Sequence, residues 1–213
     1  AMSSLNFTNS ATELPCNIQC HDDFLADITT SLSAGRMHHA WLITGPVGIG
    51  KASMARLAAA RLLSEKAHTE ALFEMGSPDL KIDTEDSGAR LVMRGAHPDF
   101  KIISPQVENN KSGQIKIDQI RAMVPFMSHK AARGGFRVTV IDSMDDVNRN
   151  GANAMLKLLE EPPENSVIFL VSSRPGQLPP TIRSRCRVVR LSPLNALSCR
   201  GVLAKSWPDA DAK

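Results

Sequence analysis

The passage from residue 40 to residue 62 constrains this chain more than any other. Ala40-Trp41-Leu42-Ile43-Thr44 is a short apolar run, Gly45-Pro46-Val47-Gly48-Ile49-Gly50-Lys51 follows at once, and Met54, Leu57, Ala58 and Leu62 then recur along one helical face. Such a run reads as a buried strand, and the i, i+3, i+4, i+8 rhythm reads as an amphipathic helix continuing to about Glu65. Strand, glycine-rich turn and helix together form a cradle for an anion. Backbone N–H groups of Val47 to Lys51 can wrap a phosphate, the helix N-terminus adds its dipole, and Lys51 adds a point charge. The plainer reading of Gly48-Ile49-Gly50, a tight strand-to-helix turn, uses the same residues.

Further apolar runs alternate with helical patterns, which predicts an α/β domain with a central parallel sheet flanked by helices. Strands are expected at Asp99–Ile103, Val138–Ile141, Val167–Val171 and Arg187–Leu191. Helices are expected after Asp118, as a cap, and over Asn150–Glu160, where Ala152, Met155, Leu156 and Leu159 share a face before Pro162-Pro163 ends the run. Pro125 falls too deep in the first of these for an unbroken helix. Residues 67–96 read as a polar, irregular, variable insertion. Residues 1–16 form an N-terminal segment in which Ala1 resembles a cloning remnant. The main domain spans 17–192, and 193–213 reads as the opening of a small helical lid domain, cut short.

A phosphate loop that hydrolyses its nucleotide needs more than a cradle. A Ser or Thr directly after the lysine normally holds Mg²⁺, and here that residue is Ala52. Ser53 comes one residue late, a rotation of about 100° on a helix. Asp142, at the end of a neighbouring strand, is placed to reach a metal through water. The next residue, where a carboxylate would orient water, is Ser143, whose hydroxyl lacks the basicity for that work. Asp145 and Asp146 read as a solvated helix start. The sequence therefore predicts ATP or ADP held weakly in a vestigial site, Mg²⁺ poorly placed, and no intrinsic hydrolysis.

Bulk properties narrow the alternatives. A net charge of +3 demands neither nucleic acid nor membrane, and 7 Phe, 2 Trp and no Tyr make a poor base-stacking platform. No apolar run approaches the roughly 18–20 residues of a membrane span, so a cytoplasmic protein is expected. Cys16 and Cys20 form at best half a metal site; neither zinc nor any other bound metal is predicted, and reduced cysteines are expected. Arg183, Arg185, Arg187 and Arg190 make a basic strip that suits solvent or DNA phosphates.

Five segments in order carry a resemblance. They are Gly35-Arg36-Met37-His38-His39-Ala40-Trp41 with the loop that follows, His97-Pro98-Asp99, Ile115-Lys116-Ile117-Asp118-Gln119-Ile120-Arg121, Asn153 to Pro163, and Leu178 to Cys186. Together they resemble the AAA+ clamp-loader subunits of bacterial replication, part of the DNA polymerase III holoenzyme, over about residues 17 to 193. The resemblance implies an AAA+ phosphate-loop domain and assembly with tau/gamma and delta subunits. Contact with the sliding clamp and primer-template DNA is implied through the assembled complex. In that family the arginine of Ser184-Arg185-Cys186 reaches across a subunit boundary to the neighbour's ATP, which assigns Arg185 the role of an arginine finger in trans. Ser172 and Ser173 fall where a polar side chain senses the γ-phosphate. A hydrolysing tau/gamma-like ATPase and a DNA-binding module built on residues 183–190 are the alternatives.

Overall fold

The computed structural model describes residues 22–65, 86–105, 107–108 and 111–193. Helix α1 is Asp22–Ser33, strand β1 Ala40–Thr44 and helix α2 Lys51–Leu62. Helix α3 (Ser87–Met93), strand β2 (Phe100–Ile103) and a two-stranded ribbon of β3 (Val107–Glu108) and β4 (Lys111–Ser112) follow. Helices α4 (Ile117–Arg121) and α5 (Met123–Ser128), strand β5 (Arg137–Ile141), helix α6 (Arg149–Glu160) and strand β6 (Ser166–Ser172) come next. The described chain closes with helix α7 (Pro180–Arg183) and strand β7 (Arg187–Arg190).

The main sheet has the order β2-β5-β6-β1-β7, and every pairing in it is parallel. Parallel strands need crossovers, and the crossover helices cover both faces, so the strands are apolar on both sides. Alternate residues sort cleanly. Trp41, Ile43, Val138, Val140, Val167 and Phe169 pack with α1, α2 and α3. Leu42, Ile141, Ile168 and Leu170 pack with α4, α5, α6 and α7. Because β1, β5 and β6 are adjacent, the chain segments leaving their C-terminal ends are brought side by side, the usual location of a ligand crevice in such sheets.

Pro125 has the expected effect with an offset. The helix stops at Arg121, turns at Ala122, and restarts so that Pro125 lies in the first turn of α5. A proline ring clashes with the carbonyl four residues back, here that of Arg121, so the break belongs there. Asp118 is not the cap; it lies inside the first turn of α4, and Gln119 Oε1 accepts from the Lys116 N–H at 2.9 Å.

Residues 87–93 correct the irregular reading of 67–96. They form α3, whose cap is Asp86: its Oδ1 accepts from Ala89 N–H at 2.8 Å and its Oδ2 from Ser64 Oγ at 2.8 Å. Seven residues are too short for periodicity to show; the cap and the burial of Ala89 and Val92 hold the helix. Residues 66–85 and the N-terminal and 194–213 segments lie outside the described residues, as do Cys16, Cys20 and Cys199.

His97-Pro98-Asp99 has a structural use. The fully buried Asp99 carboxylate accepts from Ala132 N–H at 2.7 Å and Arg133 N–H at 3.1 Å, and pairs with Arg137 at 3.4 Å. A buried carboxylate without such partners would cost several kcal/mol, so this set fixes the turn that feeds β5.

Candidate functional site

The turn after β1 closes because two glycines stand where no other residue fits. A Cβ on Gly45 would meet the Leu191 carbonyl oxygen at 2.5 Å, so only glycine lets the chain after β7 pass over the loop. Gly50 precedes α2 with φ 85°, a left-handed conformation, and brings no side-chain cap. The leading N–H groups of α2 are thus not taken by a capping side chain.

Against this turn lies a cavity of about 630 Å³, a size that suits a small-molecule ligand. Val47, Gly48, Gly50, Lys51, Ala52 and Ser53 border it from the loop and the first turn of α2. Asp142, Ser143, Asp145 and Asp146 border it from the end of β5, and Val171, Ser173 and Arg174 from the end of β6. Of the predicted loop residues, Gly45, Pro46 and Ile49 do not line it. Gly45 and Pro46 act through their carbonyls, and Ile49 packs against the core.

Ser53 was expected to turn away, yet it borders the cavity. The space sits over the end of α2, and residues all round a helix terminus can reach it. Ala52 borders it without an oxygen to offer a metal.

Lys51 is 6% exposed, and its Nζ donates to Gly45 O at 2.9 Å, Pro46 O at 2.6 Å and Ser173 Oγ at 2.8 Å. An ammonium has three N–H bonds, so all are used on neutral oxygens. Burial lowers its pKa, while Asp145 and Asp142 push it back up. A phosphate bonding Lys51 would take the place of at least one of these three oxygens. Asp142 ends β5 as predicted; burial raises its carboxyl pKa and Lys51 opposes the rise.

The residues after Asp142 are used for turning. Ser143 Oγ accepts from Asp145 N–H at 3.0 Å and caps a single 3₁₀ turn, Met144–Asp146. Asp145 corrects the reading of a solvated helix start. Its carboxylate accepts from Ser172 Oγ at 2.6 Å and Ser173 N–H at 2.7 Å, bracketing the ends of β5 and β6. Charge-assisted bonds of this kind are roughly twice as strong as neutral ones. Sequence gave no signal for the pairing, which joins residues far apart in the chain.

Arg174 was also missed. It follows the Ser172-Ser173 pair, its N–H donates to Ser172 Oγ at 3.2 Å, and its exposed side chain borders the cavity. Among the described residues its guanidinium has no hydrogen-bond or ion-pair partner.

Arg185 stands apart from the cavity, just after α7. Its Nη2 pairs with Glu160 Oε1 at 2.8 Å and its Nη1 donates to Thr181 O at 2.8 Å. The basic strip is not uniform. Arg187 pairs with Asp27 at 2.5 Å and lies 4.8 Å over the Trp41 ring, tying β7 to α1; it is exposed, as are Arg183 and Arg190. Burial pushes the Cys186 thiol up to about 12, so it stays protonated and unreactive.

A parallel five-stranded sheet, a lysine-bearing loop after its β1 strand and an acidic residue ending the β5 strand define an AAA+ phosphate-loop domain. The solved structure of a DNA polymerase III gamma subunit-related protein from Thermotoga maritima has this fold, with TM-score 0.52 and 24% identity over 86% of this chain and 49% of that one. The family model described as DNA polymerase III, delta subunit matches residues 20–195. The delta' subunit of Pseudomonas aeruginosa is 38% identical over 82% of this chain and 49% of its own length. The tau subunit of Escherichia coli is 34% identical over 83% of this chain and 25% of its own. The chain belongs to the DNA polymerase III delta-prime family of clamp-loader subunits. It spans about half the length of its delta' relatives. Among the described residues no helix is long and apolar enough to cross a membrane.

Proposed function

We propose that this chain assists ATP hydrolysis by a neighbouring subunit and does not perform it. One observation carries the reading. At the two positions bordering the cavity where hydrolysis needs a metal-holding hydroxyl and a water-orienting carboxylate stand Ala52 and Ser143, and Ser143 is occupied in capping a turn. These residues do not fit a loop-bound Mg²⁺. ATP or ADP binds weakly, held by backbone N–H groups and by Lys51 once it leaves the loop carbonyls.

Arg185 supplies a guanidinium to the γ-phosphate of ATP on the adjacent subunit. Its charge is permanent and its fork suits oxygens that gain charge as the phosphoryl group departs. The chain works with tau/gamma and delta subunits in the cytoplasm and, through the assembled loader, helps place the sliding clamp on primer-template DNA. Purified chain should release phosphate from ATP at background rate. Steady release abolished by Lys51→Met would instead establish the hydrolysing reading, which the 34% identity to a tau subunit keeps in play. A DNA-binding strip is the weaker reading, because Arg187, in the middle of the strip, is turned to Asp27 and the Trp41 ring of its own chain.

A further inference from the structure

Glu160 is the last residue of α6, and it carries a carboxylate to the end of a helix where the dipole favours cations. Asn148 caps the other end by accepting from Gly151 N–H at 2.9 Å, so the helix is placed with its polarity well defined. A negative charge at the C-terminal end is unfavourable unless something compensates it. Arg185 does. Its Nη2 lies 2.8 Å from Glu160 Oε1 while its Nη1 reaches Thr181 O at 2.8 Å, so two acceptors from two elements hold one planar group. The end of α6 is itself fixed from a third direction, since His39 Nε2 bonds the Leu159 carbonyl at 3.1 Å.

We propose that Glu160 is a positioning residue for Arg185, setting the direction in which the guanidinium is presented to an anion on an adjoining subunit. The proposal rests on the reading of Arg185 as a finger in trans. Two N–H groups face inward to Glu160 and Thr181, and the remaining N–H groups of the guanidinium are left for phosphate oxygens. Arginine carries much rotamer freedom, and ordering it before docking removes a cost that would otherwise fall on the encounter. The side chain of Arg185 is 34% exposed and that of Glu160 is 49% exposed, so the pair adds little to the stability of the chain. What it supplies is direction.

The test uses the full-length subunit assembled with its tau/gamma and delta partners, with DNA-stimulated ATP turnover as the readout. Glu160→Ala should lower kcat about five-fold, the effect expected of freeing one long side chain, with KM for ATP unchanged. Glu160→Gln, which keeps an acceptor, should recover most of that loss. In the Arg185→Ala background Glu160→Ala should cause no further fall, because its only route to the chemistry has been removed. Thermal melts of the single variants should match the parent, which separates positioning from damage to the fold. Loss of turnover in Arg185→Ala with full activity in Glu160→Ala would overturn the positioning role and leave the finger standing. Full activity in Arg185→Ala would remove the finger and with it this inference. Equal losses from Glu160→Ala with and without Arg185 would also overturn it.

Discussion

Lys51 and Arg185 are both cations held by neighbours in their own chain, and they differ in what would have to let go. Lys51 is buried and bound to two carbonyls of its own loop and one serine hydroxyl. Arg185 is partly exposed and held by a carboxylate and one carbonyl beside the surface. A phosphate bonding Lys51 would have to displace one of these oxygens, while Arg185 keeps N–H groups beyond the two it spends on Glu160 and Thr181. The difference is one of burial: Lys51 is enclosed by its own loop, and Arg185 lies near the surface with a counter-charge beside it.

The strongest challenge to that contrast is to remove each cation in the assembled loader. Arg185→Ala should lower turnover by about 10³-fold, the lower reach of fingers supplied in trans, and Lys51→Met should change it less than about three-fold. Equal losses would collapse the distinction. The bracket behind the cavity is next: Asp145→Ala should destabilise the isolated chain by about 2–3 kcal/mol in denaturant unfolding, since it breaks charged hydrogen bonds from Ser172 and Ser173.

Arg174 sharpens the comparison from within the cavity. If its guanidinium meets bound nucleotide, Arg174→Ala should weaken ATP binding by about ten-fold in calorimetry without changing stability. An unchanged affinity would place it outside the binding surface.

Acid should lower the stability of the fold that carries both regions. Burial lowers the pKa of His39, with His38 adding to the effect and the Leu159 carbonyl opposing it; burial also lowers that of His97. A depressed pKa gives stability that is present above the unfolded value of 6.5 and is lost as pH falls below it. The melting temperature should therefore drop on going from about pH 7.5 to about pH 5.5. Hydrogen exchange should show the loss first around the buried His39 and His97, which lead into β1 and β2. The smallest effect concerns Cys186, whose thiol should resist labelling at neutral pH until the chain unfolds.

Much of the fold was legible because its signals are local. The β1 run, the glycines and the spacing of Met54, Leu57, Ala58 and Leu62 each report the backbone they occupy. Pro125 announced a break and misplaced it by only a few residues, since its clash is with a carbonyl one turn earlier. Helix α3 escaped notice because its seven residues are fewer than the roughly 11 over which a helical period can be read. Of the candidate site, the loop and Asp142 were found where expected, and Ser53 was read as facing away from a cavity that it borders.

Sequence by itself determined the five strands of the main sheet, helices α2 and α6, the phosphate-type loop, and the absence of a hydroxyl at Ala52 and a carboxylate at Ser143, because each is a property of residue type at a fixed offset. Only the tertiary structure decided that Asp145 reaches Ser172, that Lys51 is spent on Gly45, Pro46 and Ser173, and that Glu160 meets Arg185. Apart from the Gly45 and Pro46 bonds, which stay within one loop, those contacts join the ends of separate strands and helices. No local rule of charge or spacing can foresee which ends a parallel sheet will bring together.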